Sequence, residues 1–206
     1  RGIQGRKRTP SRCNAEGPPH QVGLSRYHLR STPVNSPFEG SLIRLRAREP
    51  EDVDRAMLWL NDPEVRQFLG RQYPFSRKEA TERLLVAPSF NAALFAIVRK
   101  EDGLLIGDCG LFGAGPENRG ATLGIQIGDK TCWEGGYGTD TMRTLCRFGF
   151  DVMNLHRIQL HVLSWNERAI HVYEKVGFHR EALCRDAMFR FGKYHDMVVM
   201  GLLRGE

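Results

Sequence analysis

The chain has 206 residues, 41% of them apolar, and its 30 Lys and Arg against 24 Asp and Glu leave a formal net charge of +6. A chain of this length buries roughly two thirds or more of the surface its unfolded form exposes, so a core needs neither disulfides nor structural metals, and a collagen-like or wholly disordered chain is excluded. No run approaches the ~20 successive apolar residues of a membrane-spanning helix, and the first thirty residues lack the apolar core of a secretory signal, so a soluble, cytoplasmic protein with no membrane partner is expected.

Charge and proline are unevenly spread. Residues 1–40 hold seven of the basic side chains, two acidic ones and five of the ten prolines, whereas residues 41–206 are nearly neutral. Such a segment cannot bury enough apolar surface to offset the entropy of ordering, so 1–40 reads as a flexible basic tail and 41–206 as one domain. The tail's charge would attract polyanions without sequence preference, and no specific nucleic acid partner is expected. Five cysteines (Cys13, Cys109, Cys132, Cys146, Cys184) form no CxxC pair, and His156 and His161 have no partners at zinc-finger spacing. Reduced thiols and no metal are expected.

From residue 41 strands and helices alternate. Ser41–Ala47 has the period of a strand, and Pro50 opens a helix to about Leu60 with Glu51, Asp52 and Asp54 in its first turn, ended by Asn61, Asp62 and Pro63. Ser76 and Glu79 form a capping box for a helix to about Val86, closed by Pro88. Strands Ala92–Arg99 and Leu104–Phe112 flank the turn pair Asp102 and Gly103, and a loop leads to a strand over Ala121–Gly128. After DKTCWEGGYGTD, Asp129–Asp140, a helix runs from Thr139 to about Met153, then a strand over Arg157–Leu163 and a helix from Glu167 to Val176 stopped by Gly177. A hairpin closes the chain, with arms Glu181–Arg190 and Tyr194–Leu203 turning at Phe191, Gly192 and Lys193.

Strand, glycine loop, helix is the order of an anion site. The first amides of a helix lack internal partners and carry partial positive charge, and Gly135, Gly136 and Gly138 let a phosphate approach the backbone. The loop is neither a Walker A sequence nor GxGxxG, so nucleotide hydrolysis and dinucleotide binding lose support. By spacing alone a mere tight turn is the better reading.

Two longer motifs carry a resemblance. Leu123–Thr139, LGIQIGDKTCWEGGYGT, is similar to motif A of the GNAT superfamily of N-acyltransferases, and Asn166–Phe178, NERAIHVYEKVGF, is similar to its motif B. They stand in the family's order, joined by a helix and the strand RIQLHV, and the likeness spans about residues 41–206. The chain resembles the branch of ribosomal-protein N-terminal and spermidine acetyltransferases. The resemblance implies an α+β fold, a mostly antiparallel and splayed central sheet flanked by helices, binding acetyl-CoA and transferring its acetyl group by direct attack of a primary amine, whether a peptide N-terminus or a small polyamine-like molecule. It implies that Glu134, Gly135, Gly136, Tyr137, Gly138 and Thr139 cradle the pyrophosphate, that Gln126, Ile127 and Gly128 bond the pantetheine arm, and that Asn166 bonds the cofactor while capping its helix.

The same resemblance implies that Tyr173 protonates the departing thiolate. His161 stands where peptide N-terminal acetyltransferases of the family carry a glutamate base, and a near-neutral imidazole can do that work; a polar strand residue with no chemical role is the other reading, and water can also take the proton. Thr122 replaces a glutamate frequent in the branch, and Asp108 is a further candidate base. Trp133 begins the loop where Gln or Arg is usual, and Glu134–Gly135 stands where Gly-Lys is frequent. For the acceptor, Trp59, Phe68, Tyr73, Phe189, Tyr194 and Asp196 lie in the matching regions, and the acidic Glu51, Asp52, Asp54, Asp62 and Glu64 either attract a cationic amine or form a solvated face. Rival functions are an aminoglycoside-type acetyltransferase, which needs a larger acidic cleft, and a non-catalytic acyl-CoA sensor. A monomer or homodimer is expected.

Overall fold

Alternating apolar positions give the central strands two buried faces, and helices cover both. The computed structural model describes residues 36–85, 89 and 91–206. Seven strands, β1 (Ile43–Arg46), β2 (Ala92–Arg99), β3 (Leu105–Phe112), β4 (Gly120–Ile127), β5 (Arg157–Leu163), β6 (His179–Arg190) and β7 (Lys193–Leu203), lie in the order β1-β2-β3-β4-β5-β7-β6. Every neighbouring pair is antiparallel except β4 and β5, which run parallel. The helices are α1 (Asp52–Leu60), α2 (Pro63–Arg66), α3 (Arg77–Leu84), α4 (Tyr137–Asp151) and α5 (Glu167–Val176). The expected α+β architecture is the one observed.

Each face has its own core. On one, Met142, Leu145 and Phe148 of α4 and Ile170 of α5 pack against Ile97, Leu111, Leu123, Ile158 and Leu160. On the other, Val53, Ala56 and Trp59 of α1 and Ala80 and Leu84 of α3 pack with Phe75, Ala96 and Leu105. The α3 capping box forms as expected: the Ser76 hydroxyl accepts from the Glu79 amide while Glu79 accepts from the Ser76 amide at 2.9 Å. These bonds, with Arg71, hold the Glu79 carboxyl down at about 2.

Three readings change. Asp62 and Pro63 end α1 but also start α2, because the Asp62 side chain accepts the Glu64 amide at 2.8 Å and Pro63 occupies the first helical position, where a missing N–H costs nothing. Residues 36–40 belong to the domain and not to the tail. Phe38 packs on Phe95 and Phe148 at ring-centroid distances of 5.7 and 5.4 Å, and the Asp140 carboxylate accepts the amides of Ser41, Leu42 and Ile43 at 3.0, 2.7 and 3.0 Å. The final turn is shorter than expected: Phe191 and Gly192, both at positive φ, make a two-residue hairpin loop, and Lys193 is already in β7. The rest of the basic tail, 1–35, and the helix end placed at Val86 and Pro88 lie outside the described residues. No helix among the described residues is long and apolar enough to cross a membrane.

Candidate active site

The parallel pair β4 and β5 holds together for only three registered pairs, Gly120↔Arg157, Ala121↔Ile158 and Thr122↔Gln159. Beyond them β4 stays on β3 as far as Ile127 and β5 stays on β7 as far as Leu163, so the two strands part and leave a wedge in the sheet. Backbone direction follows from the pairing. Gly128 donates to Ile106 O at 2.8 Å, so even-numbered residues of β4 turn their amides to β3 and odd-numbered ones turn theirs to the wedge. The Ile127 carbonyl, on that open edge, accepts from Trp133 Nε1 at 2.8 Å, and the amides of Ile125 and Ile127 face the gap.

A cavity of about 530 Å³ fills this wedge. At one end lies the glycine loop, whose root is fixed by ion pairs: Asp129 to Arg55 at 2.7 Å, and Lys130 to both Asp62 and Glu64 at 2.8 Å. Burial alone would raise the Asp129 carboxyl, but Thr131 and Arg55 bring it below its ordinary value. Gly136, at φ 83°, turns the chain into α4 and leaves its first turn without a side-chain cap; the first α4 amide to find a helical partner is that of Asp140, bonded to Gly136 O at 3.0 Å. A Cβ on Gly138 would meet nothing nearer than Ile127 Cγ1 at 4.0 Å, so this glycine keeps open a space that the protein's own packing does not need. Uncapped amides beside an open cradle suit a diphosphate. Arg168 stacks its guanidinium 3.9 Å from the Trp133 ring centroid and lines the same cavity. It brings a cation to the cavity beside the loop.

The α5 start supplies the next wall. Asn166 Oδ1 caps the helix by accepting the Ala169 amide at 3.3 Å, which leaves its amide nitrogen free on the cavity side. One turn from the other end, Tyr173 is fixed by the helix stop: Gly177 takes φ 110° and the Phe178 amide returns to Tyr173 O at 3.0 Å. The Tyr173 phenol lines the cavity, and burial pushes it up to about 12. His161 lines the opposite side. It shares a sheet face with Gln159, whose side chain bonds Thr122 Oγ1 at 3.4 Å, and so lies on the α1 and α3 face, across the wedge from α5.

Of the residues singled out in the sequence, Gln126, Ile127, Glu134, Gly136, Gly138, Thr139, Asn166, Tyr173 and His161 line one cavity. Gly128, Gly135 and Tyr137 do not. Gly128 spends its amide on β3, and a side chain there would overlap the Trp59 ring, so its need for glycine is one of packing. Tyr137 packs into the α4 core. Gln126 turns its backbone to β3 as well, and what it presents is its side chain. Asp108 is no base candidate, because Arg48 at 3.4 Å and Arg83 at 3.6 Å flank its carboxylate outside the cavity. Among the acceptor candidates only Phe68 lines the cavity; Trp59 is buried under Gly128, Phe189 and Tyr194 stack on each other at 5.1 Å, and Asp196 accepts the Asp186 amide at 2.9 Å. The acidic set is largely neutralised by ion pairs, Asp52 with Arg46, Asp54 with Arg77, and Asp62 and Glu64 with Lys130.

A family model described as the acetyltransferase (GNAT) domain matches residues 43–179. The chain belongs to the GNAT family. It is 28% identical over 169 residues to the "Uncharacterized N-acetyltransferase p20" of Bacillus licheniformis, spanning 80% of this chain and 94% of that one. It is 29% identical over 174 residues to the "Putative ribosomal N-acetyltransferase YdaF" of Bacillus subtilis, spanning 80% and 92%. Its fold matches the crystal structure of spermidine N-acetyltransferase from Vibrio cholerae in complex with CoA and spermine, with a TM-score of 0.71 and 24% identity over 80% of this chain and 96% of that one. This GNAT protein is therefore an acetyl-CoA-dependent N-acetyltransferase. Sequence reasoning missed Arg168, Met188 and Met197 in its cavity wall. It also missed buried Arg190, which donates to Leu69 O at 2.8 Å and Gly70 O at 3.0 Å and ties the final hairpin to the segment after α2. Only contacts between distant segments mark these four.

Proposed function

We propose that the wedge between β4 and β5 holds the acetyl group of acetyl-CoA while a primary amine attacks it directly, the two entering from opposite faces of the sheet. The observation that carries this reading is the parting of β4 and β5 after Thr122↔Gln159, which leaves backbone amides facing a cavity that reaches an uncapped helix start. Bound acetyl-CoA supplies an acyl carbon activated by its thioester. The α4 amides from Gly136 to Thr139, with Arg168, hold the diphosphate, and the free Asn166 nitrogen bonds the arm. The amides of Ile125 and Ile127 stabilise charge that develops on the acyl oxygen, with fixed dipoles that need no reorganisation.

Tyr173 keeps its proton at any working pH until the thiolate forms, because burial has pushed the phenol up, and it then gives that proton to the thiolate. On the acceptor side His161, directly or through water, takes the proton that leaves the amine. No step calls on a metal; among the described residues no three His, Cys, Asp or Glu side chains converge as a metal site requires. Release of free thiol from acetyl-CoA, with and without an amine, tests the reading. Thiol release that depends on the amine is expected, and His161→Gln should lower kcat while acetyl-CoA affinity holds. Tight acetyl-CoA binding with no thiol release for any amine would instead support the acyl-CoA sensor.

A further inference from the structure

The acceptor-facing side of β4 carries polar chemistry that the reaction above does not use. Ala96, Asp108 and Gln126 lie in register across β2, β3 and β4 and therefore share the α1 and α3 face. Arg48 Nη2 and Arg83 Nη2 stand 3.4 and 3.6 Å from the same Asp108 oxygen, and Arg83 Nη2 is 3.5 Å from Gln126 Oε1. These are long contacts, weaker than paired guanidinium and carboxylate groups normally make. Two guanidinium groups against one carboxylate leave a surplus positive charge. Within this group two donors have no partner among the described residues, Arg48 Nε and Gln126 Nε2. The Arg48 side chain is 8% exposed and Gln126 as a residue is 7% exposed, so bulk water does not reach these donors freely. A buried donor left unmade costs about 1–3 kcal/mol, and of the two only Gln126 borders the cavity, where it points to a hydrogen-bond acceptor that arrives with a ligand. Arg83, which can only donate, faces Gln126 Oε1 at 3.5 Å, an orientation that turns Nε2 away from the guanidinium.

Gln126 joins this cluster to the cavity, and Arg83, with 36% of its side chain exposed, is the most open member of the cluster and stands behind Gln126, outside the cavity lining. Among the described residues that line the cavity Glu134 is the one carboxylate, on the glycine loop; Arg168, His171 and Lys175 lie on the α5 side, so the acceptor side, with His161 and Gln126, presents no carboxylate to the cavity. A cleft for a polycation would be lined by carboxylates, whereas those near α1 and α2 stand outside the cavity, Asp52 paired with Arg46, Asp54 with Arg77, and Asp62 and Glu64 sharing Lys130.

We propose that the acceptor is an amine that also carries a carboxylate, as an amino acid or an acidic peptide N-terminus does, and that Gln126 Nε2, with Arg83 and Arg48 behind it, binds that carboxylate. A polyamine is then a poor acceptor. The inference rests on the amine-acetylating reading above and assigns its substrate class.

The test compares acceptors that differ in one carboxylate at similar amine basicity: peptides beginning with Asp against Asn and with Glu against Gln, and a dipeptide against its C-terminal amide, with spermidine alongside. The carboxylate member of at least one pair should be acetylated about tenfold to hundredfold more efficiently in kcat/KM, the range for a hydrogen bond to a charged group. Arg83→Gln should bring that pair towards parity by raising KM for the acid, with KM for acetyl-CoA unchanged. Binding of the acid to the CoA-bound enzyme should weaken in parallel. Equal rates within every pair, a preference for spermidine, or an unchanged preference in Arg83→Gln would overturn the assignment and leave the acetyltransfer reading standing. Absence of acetylation of every amine would overturn both.

Discussion

The two sides of the wedge offer different chemistry. The α4 and α5 side is built mainly from main chain, with uncapped helix amides, an open glycine cradle and the exposed edge of β4, whereas the α1 and α3 side is built from side chains, Gln126, His161 and the arginines around Asp108. Main-chain donors are indifferent to most substitutions, so the cofactor side can stay constant while the acceptor side varies. The physical consequence is that changes on the first side should act through geometry and changes on the second through charge.

The sharpest way to break this comparison is Tyr173, the one side chain on the main-chain side assigned chemistry. Tyr173→Phe should lower kcat by about a hundredfold or more, the usual worth of a positioned acid, with acetyl-CoA affinity kept. Because the phenol sits near 12, the wild-type rate should show no alkaline limb from this group below about pH 10. An unchanged kcat in the variant, or a limb that disappears with the hydroxyl, would reject the role or the burial argument respectively.

Two glycines sharpen it further. Gly138→Ala places a methyl in the open cradle and should weaken acetyl-CoA binding by roughly tenfold or more as amide contacts are lost, while the melting temperature holds or rises, since Ala favours a helix over Gly by about 1 kcal/mol. Gly128→Ala should do the reverse. Its methyl would strike the Trp59 ring, so stability should fall by about 1–3 kcal/mol while cofactor affinity remains, because Gly128 does not line the cavity. Calorimetry with acetyl-CoA and thermal unfolding of both variants decide the matter; matching effects would erase the distinction.

The smallest effect lies outside the wedge. The Glu79 carboxyl has a folded-state value near 2, below its ordinary 4.5, so its stabilising contribution is complete above about pH 4.5 and is lost as pH falls towards 2. Glu79→Gln should flatten the acid side of the melting-temperature profile over that window, slightly because the group is exposed. Coincident profiles would show that the capping box adds nothing measurable.

Much of this was legible in the sequence because the signals are local. Ser76 and Glu79 mark a helix start, Gly177 a stop, and Arg157–Leu163 and Glu167–Val176 were bounded as the structure has them. The glycine loop was visible as an open helix start, and the residues that motif resemblance singled out, Tyr173, His161 and Asn166, line the same cavity. What was misread required partners distant in sequence: Phe38 reads as tail until Phe95 and Phe148 are beside it, and Asp108 reads as a base until Arg48 and Arg83 are.

By itself, then, the sequence determined the order of elements, the helix caps and the glycine-rich entry to α4, since each depends on conformational preferences and hydrogen bonds within a few residues. The tertiary structure alone decided which edge of β4 is open, that Gly128 serves packing while Gly138 leaves a space open beside the cavity, and that two arginines outnumber one aspartate behind Gln126. Strand register sets the direction of every amide, and burial sets the cost of every unpaired donor; both arise only when segments far apart in the chain are brought together.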